Sequence, residues 1–145
     1  MIFITQCSLV FFLAATAAFA DDFKLEKNLI LDNSTEVDLA DFLWFNRPIV
    51  VLADSPDDPR YIKQMALLMD NLEELKTRDV VILTDTDPSQ KTRLRNRLRP
   101  RGFMLVLIGK DGSVKLRKPF PWDVRAISRA IDKMPMRRQE MRDGG

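Results

Sequence analysis

Two apolar runs constrain the fold of this chain more than any other feature. Pro48-Ile49-Val50-Val51-Leu52-Ala53 and Asp79-Val80-Val81-Ile82-Leu83-Thr84 are continuous and rich in β-branched residues, as strands buried on both faces are. Between them, Asp57-Asp58-Pro59 offers an N-cap carboxylate ahead of a proline at the first helical position. This opens an amphipathic stretch that the spacing predicts to be one helix to about Arg78. Ile62, Met65, Leu68, Met69, Leu72 and Leu75 recur on its inner face, with Lys63, Asp70, Glu73, Glu74 and Lys76 on the other. A helical crossover joins parallel neighbouring strands by a right-handed connection, so the centre of the chain is a βαβ unit.

The rest builds outward from that unit. Residues 21 to 48 are mostly polar, with a short periodic piece from Val37 to Trp44 that suits two helical turns preceded by Asn33-Ser34-Thr35. After Asp85-Thr86-Asp87-Pro88, a second helix is predicted from Ser89 to Arg99, with Leu94 and Leu98 inward, and Gly102 breaks it. Phe103 to Ile108 reads as a third buried strand. Asp111-Gly112 supplies the backbone freedom of a hairpin turn, and Ser113 to Lys118 alternates as an edge strand does. A closing helix runs from about Trp122 to Lys133, and Pro135 ends it. The order is β-α-β-α-β-β-α, an α/β three-layer sandwich around a mixed four-stranded sheet, with its core at about 40–135. That is the order of the thioredoxin fold.

Residues 1–20 end in Ala18-Phe19-Ala20 after an apolar run from Leu9 to Phe19, the pattern of a secretory signal cleaved after Ala20. The expectation is a periplasmic or secreted domain spanning 21–145, with no stable membrane insertion once the leader is gone. The single cysteine, Cys7, lies in that leader, and the chain has no histidine. Thiol redox chemistry and Ser-His-Asp or Cys-His nucleophilic catalysis are therefore excluded for the processed chain, and no cofactor is expected. Charge is divided: residues 21–90 hold 16 acids and 7 bases, whereas 91–145 hold 5 acids and 16 bases. This implies either self-complementarity or a basic face toward an unknown protein or anionic ligand, and nucleic acid is not the expected target of an exported protein.

The stretch Arg101-Gly102-Phe103-Met104-Leu105-Val106-Leu107-Ile108-Gly109-Lys110-Asp111-Gly112 resembles the thioredoxin segment that runs Arg-Gly-Ile-Pro-Thr into a strand and ends Lys-Asn-Gly. Met104 stands where thioredoxins have a cis-proline, and the loop Asp54 to Pro59 lacks their Cys-x-x-Cys. More specifically, residues 107–117 and 131–140, with Gln64 and the Arg78-Asp79-Val80-Val81 step, resemble domain-of-unknown-function family 4174. That resemblance implies a thioredoxin-like fold and an exported setting, and it carries no activity.

Three features are candidates for function. The carboxylates Asp54, Asp57, Asp58, Asp85 and Asp87 are brought to one sheet edge by the parallel strands. They either ligate Ca²⁺ or Mg²⁺, as in a metal-assisted hydrolase or transferase, or serve as caps and solvated groups. In the arginine series 93, 95, 97, 99 and 101, Arg93 and Arg97 flank one side of the Leu94/Leu98 face and Arg95 and Arg99 the other, as two rails. Arg93, Arg97 and Arg101, with Lys110, Lys115 and Arg117, make a candidate partner surface or a solvated face that pairs with the acidic half. The basic, methionine-rich tail 134–145 either docks on its own domain or meets a partner.

Overall fold

The computed structural model describes residues 29–31 and 37–145; the expected leader and the Asn33–Thr35 turn lie outside the described residues. Five strands form one mixed sheet: β1 (Ile30–Leu31), β2 (Arg47–Leu52), β3 (Val80–Asp85), β4 (Met104–Ile108) and β5 (Val114–Lys118). Their spatial order is β1-β3-β2-β4-β5. β1, β3 and β2 run parallel, and β4 and β5 add antiparallel. Every residue of β2 and β3 is buried, as their continuous apolar runs required.

The sequence led us to expect four strands; the fifth, β1, pairs Ile30 with Ile82 and Leu31 with Leu83. Two residues are too few for an alternating pattern to register, so the apolar triplet Leu29-Ile30-Leu31 was its only trace.

Two cores flank the sheet. One face carries Ile49, Val51, Ile82, Leu105 and Leu107 and is covered by α1 (Pro59–Met69), α2 (Leu72–Lys76) and α4 (Val124–Asp132). The other carries Val50, Leu52, Leu83, Val106 and Ile108 and is covered by α3 (Arg93–Leu98) and a 3-10 turn at Leu39–Phe42. That turn replaces the two-turn helix expected there; Asp38 caps it, and Trp44 is left exposed with φ at 69°.

The crossover helix is two helices. At the break, Asn71 donates its side-chain amide to the Leu67 carbonyl at 2.8 Å, an example of a polar side chain competing with the backbone ladder. The inward face is also rotated from the expected one: Ile62 and Met69 are exposed, while Gln64 and Leu68 are buried. Gln64 occupies a core position because both ends of its amide are hydrogen-bonded. It donates to the Trp122 carbonyl at 3.1 Å and accepts from the Trp122 N–H at 2.7 Å. A buried polar group satisfied on both sides carries little penalty, and this one fastens α1 to the start of α4.

The second expected helix begins four residues late. Pro88–Gln90 forms a separate 3-10 turn that ends on Lys91 at φ 47°, and Thr92 then caps α3 by accepting from the Arg95 N–H at 3.2 Å. Pro135 ends α4 as expected but also opens a further helix, α5 (Pro135–Asp143), in the first-turn position where a missing N–H costs nothing. The tail is thus helical and docked. Met134 is buried, whereas Met136 and Met141 remain exposed.

β5 is the sheet's outer edge. Leu107 pairs with Leu116 but Ile108 with Val114, so Lys115 is an extra residue that bulges the strand. A bulge and a row of cations are common devices against edge-to-edge pairing.

Candidate functional site

At the C-terminal ends of β2 and β3, Asp85, Asp58 and Asp87 are each engaged by hydrogen-bond partners of their own. Asp85 is buried, and its carboxylate accepts from the Thr92 hydroxyl at 2.5 Å, the Arg95 Nε at 2.8 Å and the Asp87 N–H at 3.1 Å. Arg95 also donates to the Ala53 and Asp85 carbonyls, the second at 3.1 Å. This buried pair therefore stitches β2, β3 and α3 together.

Asp58 caps α1 and holds Arg60 through both carboxylate oxygens, at 3.1 and 2.8 Å. Hydrogen bonds from the Arg60 side chain and backbone hold its carboxyl below the usual range. Asp87 caps the Pro88 turn, and bonds from the Ser89 hydroxyl and N–H lower it likewise. Asp54 stands 3.9 Å from Arg95. Asp57 lines an open depression with Asp54 and Asp58, and its N–H is taken by the Ser55 hydroxyl. Among the described residues, no three His, Cys, Asp or Glu side chains gather to hold a metal ion.

The arginines sort differently from the expected two rails. Arg95 turns inward to Asp85, because α3 starts at Arg93 and its first turn faces the strand ends. Arg97 reaches the Gly112 carbonyl at 3.3 Å, and Arg117 reaches the Leu98 carbonyl at 2.6 Å. These two contacts join α3 to the β4–β5 hairpin on one face of the sheet. Arg93, Arg97, Arg99, Arg101 and Arg117 are all exposed. Among the described residues, only Arg93 of these five has an ion-pair partner, Asp38 at 3.2 Å.

Lys110 and Lys115 belong elsewhere. Lys110 is 10 % exposed and lies 2.8 Å from both Asp79 and Glu140, so it is a structural cation and not part of an open surface. Lys115 bonds Asp111 at 3.0 Å, at the hairpin tip.

Beneath this lies a network that sequence reasoning missed. Arg47, 1 % exposed, donates to the Arg78 carbonyl and to Glu140, each at 2.9 Å. Arg137 meets Glu140 at 3.3 Å and Asp132 at 3.5 Å, and Arg78 grips Asp132 at 3.0 and 2.9 Å. Burial raises the Glu140 carboxyl, but hydrogen bonds and charge from Arg47, Lys110 and Arg137 outweigh it and bring it down to about 2. An arginine opening a buried strand was the available signal.

The model of one family spans residues 38–140 of this fold. The chain belongs to the domain of unknown function family DUF4174. This DUF4174 chain is 28 % identical over 138 residues to coiled-coil domain-containing protein 80 of Danio rerio; the match covers 74 % of the chain and 16 % of that protein, so the chain spans about a sixth of the relative's length. Among solved structures, chloroplastic thioredoxin z is 22 % identical with a TM-score of 0.54, over 72 % of this chain and 90 % of that one. Desulfothioredoxin from Desulfovibrio vulgaris Hildenborough, in its reduced form, is 20 % identical with a TM-score of 0.53, over 74 % and 99 %. At these identities the likeness is one of fold, and the DUF4174 domain is thioredoxin-like.

Proposed function

We propose that this domain is an exported, non-redox binding module that engages an anionic partner through the arginine face of α3 and β5. One observation carries the reading: Arg97, Arg99, Arg101 and Arg117 are exposed and, among the described residues, have no ion-pair partner. Cations left without counter-charges on a rigid scaffold raise the local concentration of anions and speed their capture. The edge where thioredoxins carry their cysteines supports the same reading, since here the Asp85 and Asp58 carboxylates are already engaged by Arg95 and Arg60.

Fluorescence anisotropy with labelled poly-glutamate tests the proposal. We expect affinity to fall steeply with salt, and the pair Arg97→Glu and Arg101→Glu to weaken binding about tenfold or more while stability changes by about 0.5 kcal/mol. Undiminished binding by that variant would remove the basis for the reading.

A further inference from the structure

Helix α1 turns outward two residues, Ile62 and Met69, that its spacing placed inside. With Ala66 between them they follow one another at i, i+4 and i+7, and all three are exposed, Ile62 at 55 % and Met69 at 49 %. Gln64 takes the inward place, held by both of its bonds to Trp122. A polar residue inside and an aligned apolar stripe outside are the reverse of a helix that serves only its own core. We propose that this stripe is a self-association surface, on which a second copy of the chain packs its own α1 antiparallel across a two-fold axis at Ala66.

Charge identifies what covers the stripe. Lys63 and Asp70 are exposed and seven residues apart, so they lie on the same side of it, within about 20° of each other around the helix. Along the axis they are two turns apart, about 10 Å, which is too far for them to pair within one helix. Among the described residues, neither has an ion-pair partner.

Turning a second copy end for end about Ala66 brings Lys63 opposite the second copy's Asp70, and Asp70 opposite its Lys63, as an isologous contact requires. The same rotation sets Ile62 against the second copy's Met69. One axis therefore satisfies the apolar and the charged contacts together. A parallel pairing would oppose lysine to lysine and aspartate to aspartate, and a partner of one charge sign would be repelled at one end of the stripe.

Ala66 completes the fit, since a small side chain at the crossing lets the two axes approach to about 8 Å, the near end of the usual range. On the flank away from Lys63 lies Met65, partly buried against the domain's own core, so the stripe continues there as apolar surface. Three apolar side chains from each copy make a contact well below the roughly 1,200 Å² of a standard interface, so the dimer is a weak, reversible one.

The test is sedimentation equilibrium of the full chain from about 10 μM to about 1 mM, where a monomer–dimer equilibrium is expected. Lys63→Asp and Asp70→Lys each put like charges at both ends of the axis, and each alone should weaken the dimer severalfold. Mixed in equal amounts, the two variants should associate at least as well as the parent chain, because each then meets the opposite charge at both ends. Recovery on mixing also shows that neither variant is misfolded. Ile62→Glu should abolish association, while Arg97→Glu with Arg101→Glu leaves it intact, which separates this surface from the α3 face. A chain that stays monomeric throughout overturns the proposal. So does an Ile62→Glu variant that dimerises like the parent, a pair of charge variants that associate no better with each other than with themselves, or loss of the dimer in the Arg97→Glu, Arg101→Glu chain.

Discussion

Replacing Asp85 by alanine is expected to destabilise the domain by about 3–5 kcal/mol, because it leaves a buried guanidinium without its counter-charge. The Arg95 side chain is 9 % exposed and that of Asp85 is 4 %, so water cannot take over the lost bonds. Thr92 loses its acceptor as well, and with it the alignment of the α3 cap. The loss is therefore local as well as global: amides of α3 should exchange faster than those of β2 and β3. Urea denaturation measures the first effect and hydrogen exchange the second. The double variant Asp85→Ala with Arg95→Met should recover much of the stability, since it removes the stranded charge and fills the space with an apolar chain. A single-variant loss under about 1 kcal/mol would mean that the pair is solvated and does not hold α3 to the strand ends.

The second large effect is at the other end of the sheet. Glu140→Ala should cost about 3 kcal/mol, because Arg47, Lys110 and Arg137 converge on that one carboxylate and Arg47 is buried. The same contact makes stability depend on acid. The carboxyl lies near 2 in the folded protein against an ordinary 4.5, so its contribution is complete above about pH 4.5 and disappears as pH falls toward 2. Unfolding midpoints collected from pH 6 down to 2 should drop over that window in the parent chain. In Glu140→Ala the drop should be smaller, and α5 should already be frayed at neutral pH. Parallel curves for the two proteins would show that Glu140 does not anchor the tail.

How much of this was legible in the sequence follows from the range of each interaction. β2, β3, β4 and α4 were readable because their signals are local: unbroken apolar runs, or one apolar stripe bounded by Asp123 and Pro135. The break at Asn71 and the delayed start of α3 escaped because periodicity continued through both. A side-chain bond to Leu67 and a left-handed Lys91 decided them instead.

The expected sites divided along the same line. Asp58 as an N-cap and Asp87-Pro88 as the start of a turn were legible because both rest on contacts within two residues. The burial of Arg95, the commitment of Lys110 to Glu140 and the place of Arg47 depend on partners 10, 30 and 93 residues away, and spacing on one helix carries no information about them. Wheel geometry placed Arg93 and Arg97 on an exposed face, and they are there. It placed Arg95 on an equivalent rail because the capping Thr92 and the strand end it faces were not in view. Gln64 escaped for a related reason. A polar residue on an apolar face reads as an outward position unless its backbone partner, here Trp122, is known.

The arginine face as the partner-binding surface is best tested by mapping the bound poly-glutamate residue by residue through amide chemical shifts. The account expects the largest shifts along α3, in residues 99–101 and at Arg117, with residues 54–58 unmoved. Shifts centred on residues 54–58, with α3 silent, would contradict it.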